Sequence, residues 1–154
     1  MPAPRPSTPP LLAARVVWGA MVAGLLAVLV AALVARPSFA RPPAARPLED
    51  DFLLFMHLTA GGLLAMALLA VRILVPILPV HRDVAPGKVA LARSVAAGAI
   101  CEAPAVFALV DYVVTGERLA LALFAAGLAA LLATFPGEAR WARLGGEAAG
   151  GAAP

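Results

Sequence analysis

From Val16 to Ala35 the chain runs without one charged side chain. A stretch of about 20 apolar residues, rising 1.5 Å per residue as an α-helix, is what a hydrocarbon core about 30 Å thick requires. Three more apolar stretches follow, at 52–78, 89–114 and 119–135. Inside a bilayer no water is at hand for backbone N–H and C=O groups, so a segment must satisfy them itself, and runs of this length do so as helices. The expectation is an all-α integral membrane protein, four transmembrane helices in a small bundle. Residues 1–15 form a disordered tail, 16–136 the membrane domain with spans at 16–35, 52–78, 89–114 and 119–135, and 137–154 a flexible tail.

Composition agrees, with 62% apolar and 14% charged residues in 154 and a mean hydropathy of +0.92. A soluble domain does not have that balance. The net charge of +3 would suggest nucleic acid in a soluble chain, but the basic residues flank the apolar runs and form no basic face. Arg5, Arg15, Arg82, Lys88, Arg140 and Arg143 fall on one side of the membrane, and Arg36, Arg41, Arg46 and Arg118 on the other. The positive-inside rule then puts both termini in the cytoplasm, as for a bacterial inner-membrane protein. A lone cysteine, Cys101, excludes an internal disulfide.

The first stretch also reads as a secretory signal, since Arg5 and Arg15 precede it and Ser38-Phe39-Ala40 resembles a cleavage site. Its length favours a retained helix, because a signal core is about 7–15 residues long. Trp18 near its start suits an interfacial anchor, and Gly19 and Gly24 are small enough to admit another helix. Prolines 37, 42, 43 and 47 break the next linker. The second span holds His57 and Arg72, the latter close enough to the end to reach the interface. A short turn, Pro79 to Lys88, makes spans two and three an antiparallel hairpin, Gly116 marks the next turn, and Pro136-Gly137 ends the fourth span. In the tail, Trp141 between Arg140 and Arg143 reads as an interfacial anchor.

The third span carries Glu102 in mid-helix. A carboxylate among apolar residues at membrane depth is costly, which makes it a candidate functional residue. Gly98, Ala99, Ala105 and Val106 share its face, one turn to either side. Pro104 has no N–H for the carbonyl of Ile100, so an oxygen is freed within a turn of the carboxylate. Together they can hold a proton or a small cation. Arg93 and Asp111 each lie nine residues from Glu102, about 180° around the helix, so a partner must come from another helix. His57 lies at a comparable depth and is the candidate, unless it bonds a backbone group of its own helix. Cys101 and Glu102 diverge by about 100° and make a poor chelate.

The run Gly98-Ala99-Ile100-Cys101-Glu102-Ala103-Pro104-Ala105-Val106-Phe107-Ala108-Leu109-Val110, with Arg93 before it, resembles the ion-carrying helix of subunit c of the ATP synthase rotor ring. The likeness covers about 20 residues. In that family the carboxylate at the matching position binds and releases the transported proton or sodium ion, so the resemblance implies that Glu102 is the ion-binding residue. The rest of the chain resembles four-span bacterial membrane proteins built around such a helix. No nucleophile triad, phosphate loop or metal-ligand cluster is visible, so no enzyme, cofactor or metal is expected. Two readings remain. In one, the chain is an ion-handling or accessory subunit of a membrane complex, with Glu102 as the ion-binding residue supported by Ile100 and His57, and lipid, other membrane subunits or further copies of itself as partners. In the other it is a structural or assembly protein, and Glu102 is a packing hydrogen-bond partner.

Overall fold

The computed structural model describes residues 8–39, 50–78 and 84–150, the side chains at both ends of the first helix, at residue 50 and at the end of the last helix excepted. Every element among them is helical: α1 (Thr8–Phe39), α2 (Asp50–Ile77), α3 (Pro86–Thr115), α4 (Arg118–Ala133) and α5 (Glu138–Gly150). The helix α3 packs against all four others, while α2 and α4 also touch each other. The bundle is therefore assembled around the helix that carries Glu102.

Residue pairs fix the directions. Ala90 packs with Leu11 and Ala14, and Gly98 faces Met21, so α1 runs parallel to α3. His57, early in α2, meets Asp111, late in α3, and Gly127 of α4 faces Ala105 of α3, so α2 and α4 are antiparallel to it. The centre is filled by Leu25, Cys101, Ala105, Ala108, Leu109, Phe124 and Leu131. Small residues on α3 allow this. At Gly127 the two backbones approach so closely that a methyl group would lie 3.0 Å from the Ala105 Cβ and 3.1 Å from its Cα. Close backbone approach through small residues is how helices associate where lipid offers the same apolar surroundings as a side chain would.

Outside, the surface is apolar. Val34, Leu58 and Met66 expose about two thirds or more of their area (72%, 65% and 64%), and further Leu, Val and Phe side chains surround them. In water so large an apolar surface would be a liability, whereas in a bilayer it is the solvated surface. Helices α1, α2 and α3 are each long and apolar enough to cross a membrane. The fourth expected span is shorter. With 16 residues, α4 reaches only about 24 Å, and α5 follows at a bend of 75°, so the two make a fourth crossing only as one bent unit.

Both expected tails contain helix. Helix α1 begins at Thr8, because prolines 9 and 10 fall in its first turn, where their missing N–H groups have no intrahelical partner to serve. Residues 1–7 lie outside the described residues, as do the linker at 40–49, most of the α2–α3 turn and residues 151–154. The tail after Gly137 forms α5, whose Trp141 is 4% exposed and buried against Leu11, Ala14 and Ala90. Trp141 is thus a core residue of one end of the bundle, not the interfacial anchor its flanking arginines suggest. Pro76 sits in the last turn of α2 and ends that helix without a mid-span kink. Gly116, at φ 76°, closes α3 with its N–H donating to the Tyr112 carbonyl at 2.8 Å.

Helix α4 ends within the protein, and its last carbonyls need donors. Trp18 Nε1 donates to the Leu131 carbonyl at 3.1 Å, and the Thr134 hydroxyl to the same oxygen at 2.7 Å. Arg140 reaches the Ala133 carbonyl, and Arg15 Nε the Pro136 carbonyl at 3.4 Å. Two cations at the negative end of a helix dipole also favour the arrangement. Trp18 stacks edge-on against Phe135, with centroids 4.9 Å apart. Gly19, Gly24, Gly61 and Gly62 have open space where a side chain would stand, so none of these mediates a close helix contact among the described residues.

Candidate functional site

The third helix sorts its ionisable residues by angle. Arg93 and Asp111 are 18 residues apart, five full turns, and so lie on one face of α3; Glu102, midway between them, lies on the other. The buried residues of α3 include Arg93, Ala97, Cys101, Pro104, Ala108 and Asp111, which marks the Arg93–Asp111 face as the one turned inward. Glu102 therefore turns outward. It is half-buried, and with Ala99, Ala103, Val106, Phe107 and Val110 it lines an open groove on the outside of the helix.

Within that groove the surroundings are apolar, and among the described residues no hydrogen bond or ion pair engages the Glu102 carboxylate. Ile100 lies half-buried two positions back, with Pro104 in place and unable to donate to its carbonyl. The carboxylate and the loosened carbonyl that the sequence paired are thus both on α3, within one turn. His57 does not join them.

The structure brings His57 to Asp111 instead, with Nε2 at 3.7 Å from Oδ2. The physical reason is the same 180°: packing α2 on the inward face of α3 brings His57 to Asp111 and leaves Glu102 on the far side. Asp111 is 0% exposed, and both its carboxylate oxygens, with His57 Nε2, are buried without a hydrogen-bond partner among the described residues. The Thr115 hydroxyl donates to the backbone carbonyl of Asp111 at 2.8 Å, which leaves the carboxylate unserved. Arg93, at the opposite end of the same face, reaches across to α5 with Nη1 donating to the Leu144 carbonyl at 3.1 Å. Its role there is to fasten α5 over the end of the bundle.

Asp111 is the residue the sequence reading missed. Placed near the end of an apolar run beside Tyr112, it looks interfacial. The available signal was its 18-residue spacing from Arg93, since two charged residues in register on an otherwise small-residue helix mark a face served by other helices. Cys101 is buried on that inward face, away from Glu102, and no group of three His, Cys, Asp or Glu side chains converges among the described residues. Comparison of the chain with protein-family models, with curated proteins and with solved structures gives no match.

Proposed function

We propose that this protein is a small polytopic membrane subunit that handles a proton or a small cation, or serves as an accessory subunit of a membrane complex, through the carboxylate of Glu102. One observation carries the reading: Glu102 sits in mid-helix on the outward face of α3, in an apolar groove, and no group within the described chain satisfies it. A carboxylate in such surroundings is costly unless a proton, a cation or a donor from another molecule meets it. The local likeness to the rotor-ring helix points the same way. The chain sits in a bacterial inner membrane with both termini in the cytoplasm, in keeping with its distribution of Lys and Arg.

The second reading is a structural or assembly protein in which Glu102 bonds permanently to a neighbouring subunit or a second copy of this chain. The open sides of Gly19, Gly24, Gly61 and Gly62, where another helix can approach closely, favour it. A hydrophobic carbodiimide, which attacks protonated carboxyls in apolar surroundings, separates the two. An exchanging Glu102 is labelled in preference to Asp51 and Glu117, less so as pH rises, and Glu102→Gln abolishes the labelling of that position with helix content unchanged. Absence of labelling at every pH leaves the assembly reading and removes the ion-handling one.

A further inference from the structure

The geometry points to a second ionisable site, independent of Glu102: His57 and Asp111 form a buried proton-binding pair in the seam between α2 and α3. A fully buried carboxylate whose two oxygens are both unserved is an unusual feature, since buried polar groups almost always find partners. The nearest charged partner is an imidazole 3.7 Å away, itself 15% exposed through its side chain, with the Thr115 hydroxyl close by but donating to the Asp111 backbone carbonyl. That distance exceeds the 2.7–2.9 Å or so of a charge-assisted hydrogen bond, so a closure of about 1 Å, or one bridging water, completes the contact.

The proton balance defines the occupant. With one proton shared, the pair is either a neutral acid beside a neutral imidazole or a carboxylate beside an imidazolium, and both forms are neutral overall. Removing that proton leaves a net negative charge in the seam, and adding a second leaves a net positive one, each without a compensating group. Among the described side chains no other charged group faces the pair, Glu117 lying beyond the end of α3 at the turn into α4. Among the described side chains α1 offers only Arg15, at its opposite end, and α4 only Arg118, exposed in its first turn. On α2, Asp51 is exposed at the helix start and Arg72 lies about four turns beyond His57; on α3, Glu102 points away and Arg93 is five turns off; and α5 closes the far end of the bundle. The proton enters and leaves by way of the imidazole, the partly exposed member of the pair. Because the two groups come from different helices, holding the proton also holds α2 against α3.

The test uses the full chain in lipid nanodiscs, with the histidine rings labelled with 15N and the carboxyl C=O region followed by infrared difference spectroscopy as pH is varied. The expected result is a reversible, pH-dependent change of the His57 ring signals, matched by a carboxylic C=O band that changes with the same midpoint. Asp111→Asn removes that band and displaces the His57 midpoint by about one pH unit or more, as coupled groups require. Glu117→Gln, at the exposed α3–α4 turn, moves neither. If Asp111→Asn does not fold, His57→Gln supplies the same answer by displacing the midpoint of the carboxyl band. A His57 ring that does not titrate as pH is varied, or a midpoint and a band indifferent to the partner's removal, overturns the proposal and leaves a locked packing contact. The carbodiimide experiment stays distinguishable because labelling is read by peptide mass at residue 102 itself, apart from any at Asp111.

Discussion

Replacing Gly127 by alanine tests whether the α3–α4 crossing is as tight as its geometry indicates. The added methyl group would meet Ala105 at 3.0 Å (Cβ), 3.1 Å (Cα) and 3.2 Å (N). On a 6–12 potential with an optimum near 3.9 Å and a well of about 0.15 kcal/mol, the two carbon contacts cost about 3 kcal/mol together before relaxation. Two of the three atoms met are backbone, so no rotamer change relieves the overlap and the helices must separate by a few tenths of an ångström. Separation relieves much of the clash but loosens packing between Ala105, Phe124 and Leu131, leaving a net steric cost of about 1–3 kcal/mol. Alanine also gains up to about 1 kcal/mol of helix propensity over glycine, which masks part of that cost. Gly61→Ala is the internal reference, because Gly61 has open space at the same position and gains the propensity term alone. Reversible unfolding in mixed detergent micelles should place Gly127→Ala about 1–3 kcal/mol below Gly61→Ala in stability. Equal stabilities for the two variants would refute the close approach of α3 and α4.

Trp141→Ala removes the side chain that seats α5 on Leu11, Ala14 and Ala90. A loss of about 3 kcal/mol is expected, with cleavage of the α5 segment by added protease rising in parallel; an unchanged cleavage rate would argue that α5 is not docked. Trp18→Phe keeps the ring stack on Phe135 but removes the donor to the Leu131 carbonyl, for a loss of about 0.5–1.5 kcal/mol in the same unfolding assay. A cysteine introduced at Ser38 should react with a membrane-impermeant thiol reagent from outside an intact cell, and reaction only from the cytoplasmic side reverses the proposed orientation.

Much of the fold was legible because the bilayer asks a simple question of a sequence. Whether a segment is long and apolar enough to cross depends on length and composition alone, so α1, α2 and α3 were visible from the runs at 16–35, 52–78 and 89–114. The fourth run lies at the edge of that test, since α4 has 16 residues and crosses only together with α5. Its chain continues past Pro136 into a helix that leaves the bundle direction by 75°, and a bend of that kind is fixed by what captures the freed carbonyls. Trp18 and Arg15, more than 100 residues away in sequence, supply part of that capture together with Arg140. No local pattern announces such partners.

That α3 needs neighbours was legible in the sequence, since it is an apolar run bearing Arg93, Glu102 and Asp111. Helical periodicity even fixed that Glu102 opposes the other two. What it could not decide was which of the two faces the bundle would cover, because small apolar residues occur on both sides of this helix and lipid is as acceptable to them as protein. Tertiary packing made that choice. Once Gly127 lies on Ala105 and α2 lies along the Asp111 face, His57 falls to Asp111, and Glu102 is left on the outer surface for whatever meets this protein in the membrane.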